Sequence, residues 1–191
     1  MALRLLRCAI EEIPGWHANL FVEPYVVAFV AVAGQYSPSP ALFDVECDNV
    51  VSRWLGKASE CRLEVSWQND TAEKAARLRA TMQAGPLVEL ATVALALILG
   101  NRVVPLGRLF VTDHGERADY RARKRKVVLE ISGTEVSAEL GRRHREKVAQ
   151  ARDNPFGWDA YVVVCAFSAG GHHIRFTRHP FEEAQHGKGE D

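Results

Sequence analysis

An α/β protein with a central mixed β-sheet flanked by helices is the fold class this sequence predicts, on three observations. Cys61, Leu63, Val65 and Trp67 alternate with Arg62, Glu64 and Ser66, the period of a half-buried strand. Leu87 to Leu99 is apolar almost throughout, with Glu89 its one charged residue, and reads as a buried helix. From Leu106 onward the order is β-β-β-α-β-β, and its fifth member, Ala160 to Phe167, is an unbroken apolar run suited to a central strand.

Taken in order, residues 20–33 are rich in Val and Phe and are expected to form a buried strand after Pro24. Two prolines make 36–40 a loop. Leu42 to Val50 and Cys61 to Trp67 each predict a short strand. From Asp70 the period turns helical, with Asp70 or Thr71 as cap and Ala75, Leu78, Arg79 and Met82 following at helical spacing. Gly85-Pro86 breaks this helix and opens the next, which Gly100-Asn101 is expected to close. Strands at Leu106 to Val111 and Arg117 to Ala122 are joined through Asp113-His114-Gly115-Glu116, and Val127 to Ser132 follows a basic turn. Ser132-Gly133-Thr134 then leads into a helix from about 136 to 151, capped by Thr134 or Ser137. After a turn at Asn154-Pro155-Phe156-Gly157 comes the strand 160–167, and Ala169-Gly170-Gly171 makes a hairpin into 172–177. Residues 1–70 are thus expected as a β-rich elaboration of one domain, 71–181 as its α/β core, and 182–191 as a polar, disordered tail.

Composition limits the function. The 191 residues carry 24 basic and 24 acidic side chains, so no global positive field attracts nucleic acid and only local patches can. Cys8, Cys47, Cys61 and Cys165 have neither zinc-ribbon nor disulfide-framework spacing and read as reduced core thiols. Arg4 and Arg7 interrupt any signal-peptide run. Tyr25 to Ala33 and Leu87 to Leu99 fall short of the roughly 20 residues of a membrane span. The expectation is a cytoplasmic protein with no membrane partner.

Chemistry concentrates around Glu130. In Val128-Leu129-Glu130-Ile131-Ser132, Glu130 and Ser132 project from one face, and a carboxylate in so apolar a strand needs a partner. If Arg123 to Lys126 form a four-residue hairpin loop, Ala122 pairs with Val127 and Arg121 with Val128. Asp119 then lies opposite Glu130, with Cβ atoms about 4.5–5.5 Å apart. Two ionised carboxylates at about 5 Å repel by roughly 3 kcal/mol at an effective dielectric near 20. A hard dication such as Mg²⁺ or Mn²⁺, a shared proton or a nearby arginine would remove that cost. Glu89, at the start of its helix, is equally well explained by the helix dipole.

Buried helix with Glu89, strand with Asp119, strand with Glu130, helix, apolar strand: this order resembles the PD-(D/E)XK nuclease-like superfamily over roughly residues 85–177. The resemblance implies a restriction-endonuclease-like core in which Asp119 and Glu130 bind the metal, with Glu89 assisting, and a lysine two residues beyond the strand carboxylate activates water. Ala118 stands at the motif's Pro and Ser132 at its Lys. Some relatives of this fold take the lysine from the following helix. There Val136, Leu140, His144, Lys147 and Val148 form one stripe, directing Lys147 at the sheet; the alternative is a snorkelling surface lysine. The implied catalytic set is Asp119, Glu130, Lys147 and Ser132, with Mg²⁺ or Mn²⁺ as cofactor.

Arg121, Arg123, Lys124, Arg125 and Lys126 form a basic hairpin able to contact a DNA backbone or simply to be solvated. Arg142, Arg143 and Arg145 are expected to face solvent with internal pairs, Glu139 with Arg143 and Arg142 with Glu146. His172, His173 and His179 near Cys165 lack metal-ligand spacing, since neighbours on a strand face opposite ways. No phosphate-binding loop, dinucleotide motif or nucleophile elbow is present. Two functions follow as expectations: metal-dependent hydrolysis of DNA, or a catalytically degenerate nuclease fold that binds nucleic acid or protein. An immunity-type partner protein or a homodimer depends on surface shape alone.

Overall fold

The structure, a computed structural model, describes residues 4–55, 60–112 and 118–181. In chain order the elements are β1 (Arg4–Ala9), the short α1 (Ile13–Trp16), α2 (Glu23–Tyr36), β2 (Ala41–Cys47), the single turn α3 (Asn49–Ser52) and β3 (Glu60–Ser66). They continue with α4 (Asn69–Thr81), α5 (Ala84–Arg102), β4 (Phe110–Val111), β5 (Tyr120–Ala122), β6 (Val127–Thr134), α6 (Leu140–Arg152), β7 (Asp159–Ala166) and β8 (His172–His179). Among the described residues the strands form one mixed sheet in the order β1-β3-β2-β8-β7-β6-β5-β4. β1/β3, β2/β8 and β6/β7 are parallel, and the other neighbours antiparallel. This is the α/β class expected, and β1, β2 and β3 belong to the same sheet as the rest.

The main correction lies at residues 20–33, where the chain forms helix α2 rather than a strand. Every residue from Val26 to Ala33 is buried, so no amphipathic period remains to separate helix from strand. Pro24 sits in the first turn, where its missing N–H costs nothing. α2 packs on α4 and α5, and α5 in turn packs on β6. Phe29 reaches the sheet, its ring centroid 5.7 Å from Phe43 and 6.5 Å from Phe167. At 19 residues α5 is long and apolar enough to cross a membrane by composition, but 61% of its most apolar stretch is buried inside the protein, as in a core helix.

The opposite face of β6, β7 and β8 is covered by α6. β6 therefore divides its side chains: Val127, Leu129 and Ile131 enter the large core, whereas Val128 joins a smaller cluster with Ala160, Val162 and Val164. Glu130 and Ser132 consequently point toward α6.

Several boundaries move. Ser132-Gly133-Thr134 does not turn; β6 runs to Thr134, opposite Ala166 of β7. Gly133 is needed because α5 lies directly against it, and a Cβ there would come 2.3 Å from Thr92 Oγ1 and 2.7 Å from Val88 O. Neither Thr134 nor Ser137 caps α6, whose N-cap is Glu139; Thr134 Oγ1 accepts from the Val136 N–H at 3.1 Å within the turn that follows β6. Instead of Asp70 or Thr71 capping α4, Glu11 Oε1 accepts from the Gln68 N–H and the Thr71 hydroxyl. α5 runs past Gly100-Asn101 to Arg102, and Leu106 to Val111 contributes only Phe110–Val111 as strand. The expected Asp113–Glu116 connection and the tail from Glu182 lie outside the described residues. All four cysteines are free and buried.

Candidate active site

The β5–β6 hairpin has the register its loop length dictates: Ala122 opposite Val127, Arg121 opposite Val128, Tyr120 opposite Leu129. A 3₁₀ turn at Arg123–Arg125 and Lys126 at φ 50° close the loop. β5 begins at Tyr120, but β6 continues to Thr134, so the two strands part beyond Leu129. The N–H groups of Ile131 and Gly133 then lie on an open edge and need acceptors. Asp119 Oδ2 accepts from Ile131 N at 2.6 Å, and Glu89 Oε2 accepts from Gly133 N at 3.3 Å. Glu89 therefore has a tertiary partner, beyond any interaction with the dipole of α5.

From the α6 side Lys147 reaches the same fork. Its Nζ donates to Glu130 Oε2 at 2.8 Å and lies 3.6 Å from Asp119 Oδ2. The acidic pair is thus not splayed onto opposite sheet surfaces; both carboxylates meet one ammonium. One turn earlier Arg143 donates to Ser132 Oγ at 3.3 Å and to Glu139 Oε2 at 3.0 Å, and lies 3.8 Å from Glu89 Oε1. Asp119, Glu130, Glu89, Ser132 and Lys147 are brought together, with Arg143 added. The sequence offered one signal for Arg143, its position four residues before Lys147 on the same helix face.

Glu130 is 2% exposed, and this burial pushes its carboxyl up to about 7; Lys147 works against the shift and Asp119 adds to it. Burial also raises the Glu89 carboxyl, opposed by the Gly133 N–H, Lys147 and Arg143. For Lys147 burial disfavours the ammonium, but Asp119, Glu130 and Glu89 outweigh it and the net direction is upward. The cluster thus holds one shared cation under a strong negative field. Among the described residues no group of three His, Cys, Asp or Glu side chains is placed to hold a metal ion. Glu89, the third expected ligand, faces Arg143 and the edge of β6.

Arg123, Lys124, Arg125 and Lys126 are exposed at the hairpin tip. Arg123 stacks over Phe110 and Arg121 over Phe156, each 5.3 Å from the ring centroid. The expected helix pairs form, Arg142 with Glu146 at 2.6 Å and Arg143 with Glu139. The histidines do not converge: His172 contacts Ser37 Oγ at 3.0 Å and stacks on Phe43, while His179 contacts Thr177 Oγ1. Compared with protein-family models, curated proteins and solved structures, the chain has no match in any of the three.

Proposed function

We propose that the chain is a metal-dependent phosphodiester hydrolase acting on DNA through a PD-(D/E)XK-like site. The observation that carries the reading is the fork itself: Asp119, immediately before β5, and Glu130 of β6 both reach one cation position within 4 Å, with Glu89 beside them from the preceding helix. Mg²⁺ is commonly held by one or two carboxylates, with water and substrate phosphate completing its shell, so Asp119 and Glu130 fit a hard dication as a pair. Such an ion, when bound, acidifies water and neutralises developing negative charge. Lys147, in place of a lysine at Ser132, keeps a positive charge beside Glu130, and Arg143 presents a second charge one turn away. Both would stabilise an anionic phosphate beside the buried Glu130. The exposed hairpin tip would grip the backbone without reading sequence. A cytoplasmic setting belongs to this reading.

One observation favours a second reading, a degenerate nuclease fold used for binding. The Lys147 ammonium already stands between Asp119 and Glu130 and satisfies both. Incubation of plasmid with Mg²⁺ or Mn²⁺ separates the two. Cleavage by wild type that Asp119→Ala and Glu130→Ala abolish supports hydrolysis. Equal inertness of all three sinks it, and salt-sensitive DNA binding without cleavage leaves the binding module.

A further inference from the structure

At the end of the sheet where β6 and β7 begin and β8 finishes lies a cleft of about 200 Å³. Sites for whole small molecules run from roughly 300 to 1,000 Å³, so this one has room for a single planar ring system and little more. Val127 and Tyr161 in its lining belong to the large core, which sets the cleft on the sheet face away from α6 and apart from the fork. Val104, Pro105 and Leu106 supply an apolar wall, and Trp54, 48% exposed, adds its indole. Arg125 and Arg178 line the same space. Asp159, also in the lining, is already committed: it accepts from Arg178 Nη2 and, at 2.9 Å, from the Phe181 N–H. The Arg178 side chain remains 32% exposed, and a guanidinium carries five donors, so the pair with Asp159 leaves some of them free. Among the described residues Arg125 has no acidic partner, and as a member of the exposed hairpin tip it joins tip and cleft into one surface.

We propose that this cleft receives an unpaired nucleobase of a single DNA strand, with the base stacked on Trp54 and the strand's phosphate against Arg125. The inference rests on the reading of the hairpin tip as a grip on the DNA backbone, and it adds a preference for unpaired strands. Each feature of the lining selects this occupant. Every base has a π-face for the indole, and its ring nitrogens and carbonyl oxygens suit the free donors of Arg178. A simple anion answers Arg125 but leaves the indole and the apolar wall uncovered. A neutral aliphatic ligand uses neither guanidinium, and a cation meets two of them beside a carboxylate already spent. A base inside a duplex is stacked and paired, so it cannot enter.

The test is fluorescence anisotropy with the full chain in metal-free buffer containing chelator, using a short single-stranded oligonucleotide, the same strand with abasic positions, and the duplex. The abasic strand keeps every phosphate and loses only the bases. Wild type is expected to bind the intact strand at least about fivefold tighter than the abasic one, the lower end of what one base–aromatic stack contributes. Trp54→Ala should remove that difference while leaving the abasic strand and the duplex bound as before, and Trp54→Phe, which keeps a ring, should retain most of it. Equal affinity of wild type for intact and abasic strands overturns the proposal and leaves the backbone grip standing. So does a loss in Trp54→Ala that is the same for all three DNAs, whereas absence of binding to any of them overturns both. The first comparison uses wild-type protein, so misfolding of a variant cannot decide it. Cleavage plays no part in the readout, and an inert fork leaves the result untouched.

Discussion

At Glu130, lost hydration and an ion pair pull in opposite directions. Lys147 lies 2.8 Å away, yet burial prevails and the carboxyl titrates at about 7 against an ordinary 4.5. Because the folded state holds this proton more tightly than the unfolded chain, the stabilising contribution is complete below 4.5 and disappears as pH rises through 7. Glu130→Gln should therefore gain stability relative to wild type across that window, by about 3 kcal/mol at most, read from urea midpoints at several pH values. An unchanged difference between the two proteins from pH 4.5 to 7.5 would contradict the burial argument. Gly133 presents a steric constraint. Its missing Cβ leaves room for Thr92 Oγ1 and for the Val88 carbonyl, the latter part of a helix backbone that cannot rotate away. Gly133→Ala should cost roughly 1–3 kcal/mol, or more if α5 cannot shift, and chemical denaturation measures it.

The β5–β6 hairpin and α6 are the elements that make the fork. Four basic residues in the loop fixed the hairpin register, and alternation along β6 put Glu130 and Ser132 on the α6 side, so this much was readable from residue counting. The helical stripe containing His144 likewise directed Lys147 inward. Counting could not show where β5 starts. That boundary leaves the Ile131 and Gly133 N–H groups bare, and it turns Asp119 and Glu89 into edge acceptors as well as candidate ligands. Replacing Arg123, Lys124, Arg125 and Lys126 with Gln should weaken DNA binding and flatten its salt dependence. In log–log terms the slope is expected to fall by about 0.9 for each phosphate that the tip no longer neutralises, as measured by fluorescence anisotropy. An unaltered slope would mean that the tip is only a solvated turn.

Across the whole molecule, two layers of unequal thickness enclose the sheet. The thicker layer holds Phe43, 0% exposed, with Phe29 and Phe167 ring centroids at 5.7 and 5.9 Å, and Phe43→Ala should cost about 3–5 kcal/mol in thermal or urea unfolding. Beneath α6, His144 is lowered to about 4, chiefly by burial and then by Arg175 and His179. Its neutral form is the folded form, so its contribution is present above 6.5 and is lost as pH falls toward 4. His144 and Glu130 thus tilt stability in opposite directions over much of the same range. Wild-type protein should show a flatter profile between pH 4.5 and 6.5 than Glu130→Gln, which lacks the opposing contribution of Glu130.

Local rules in the sequence determined the α/β class, most strand positions, the helical cores of α4, α5 and α6, and the register of the β5–β6 hairpin. Each of these depends on a period of two or of 3.6, or on the length of one short loop. Long-range packing alone decided that residues 20–33 are helical, because a segment buried on every side carries no period. It also decided that Gly133 continues a strand pressed against α5, and that Lys147 and Arg143 close over the fork. Those outcomes depend on which groups remain without solvent or a hydrogen-bond partner once the layers have met.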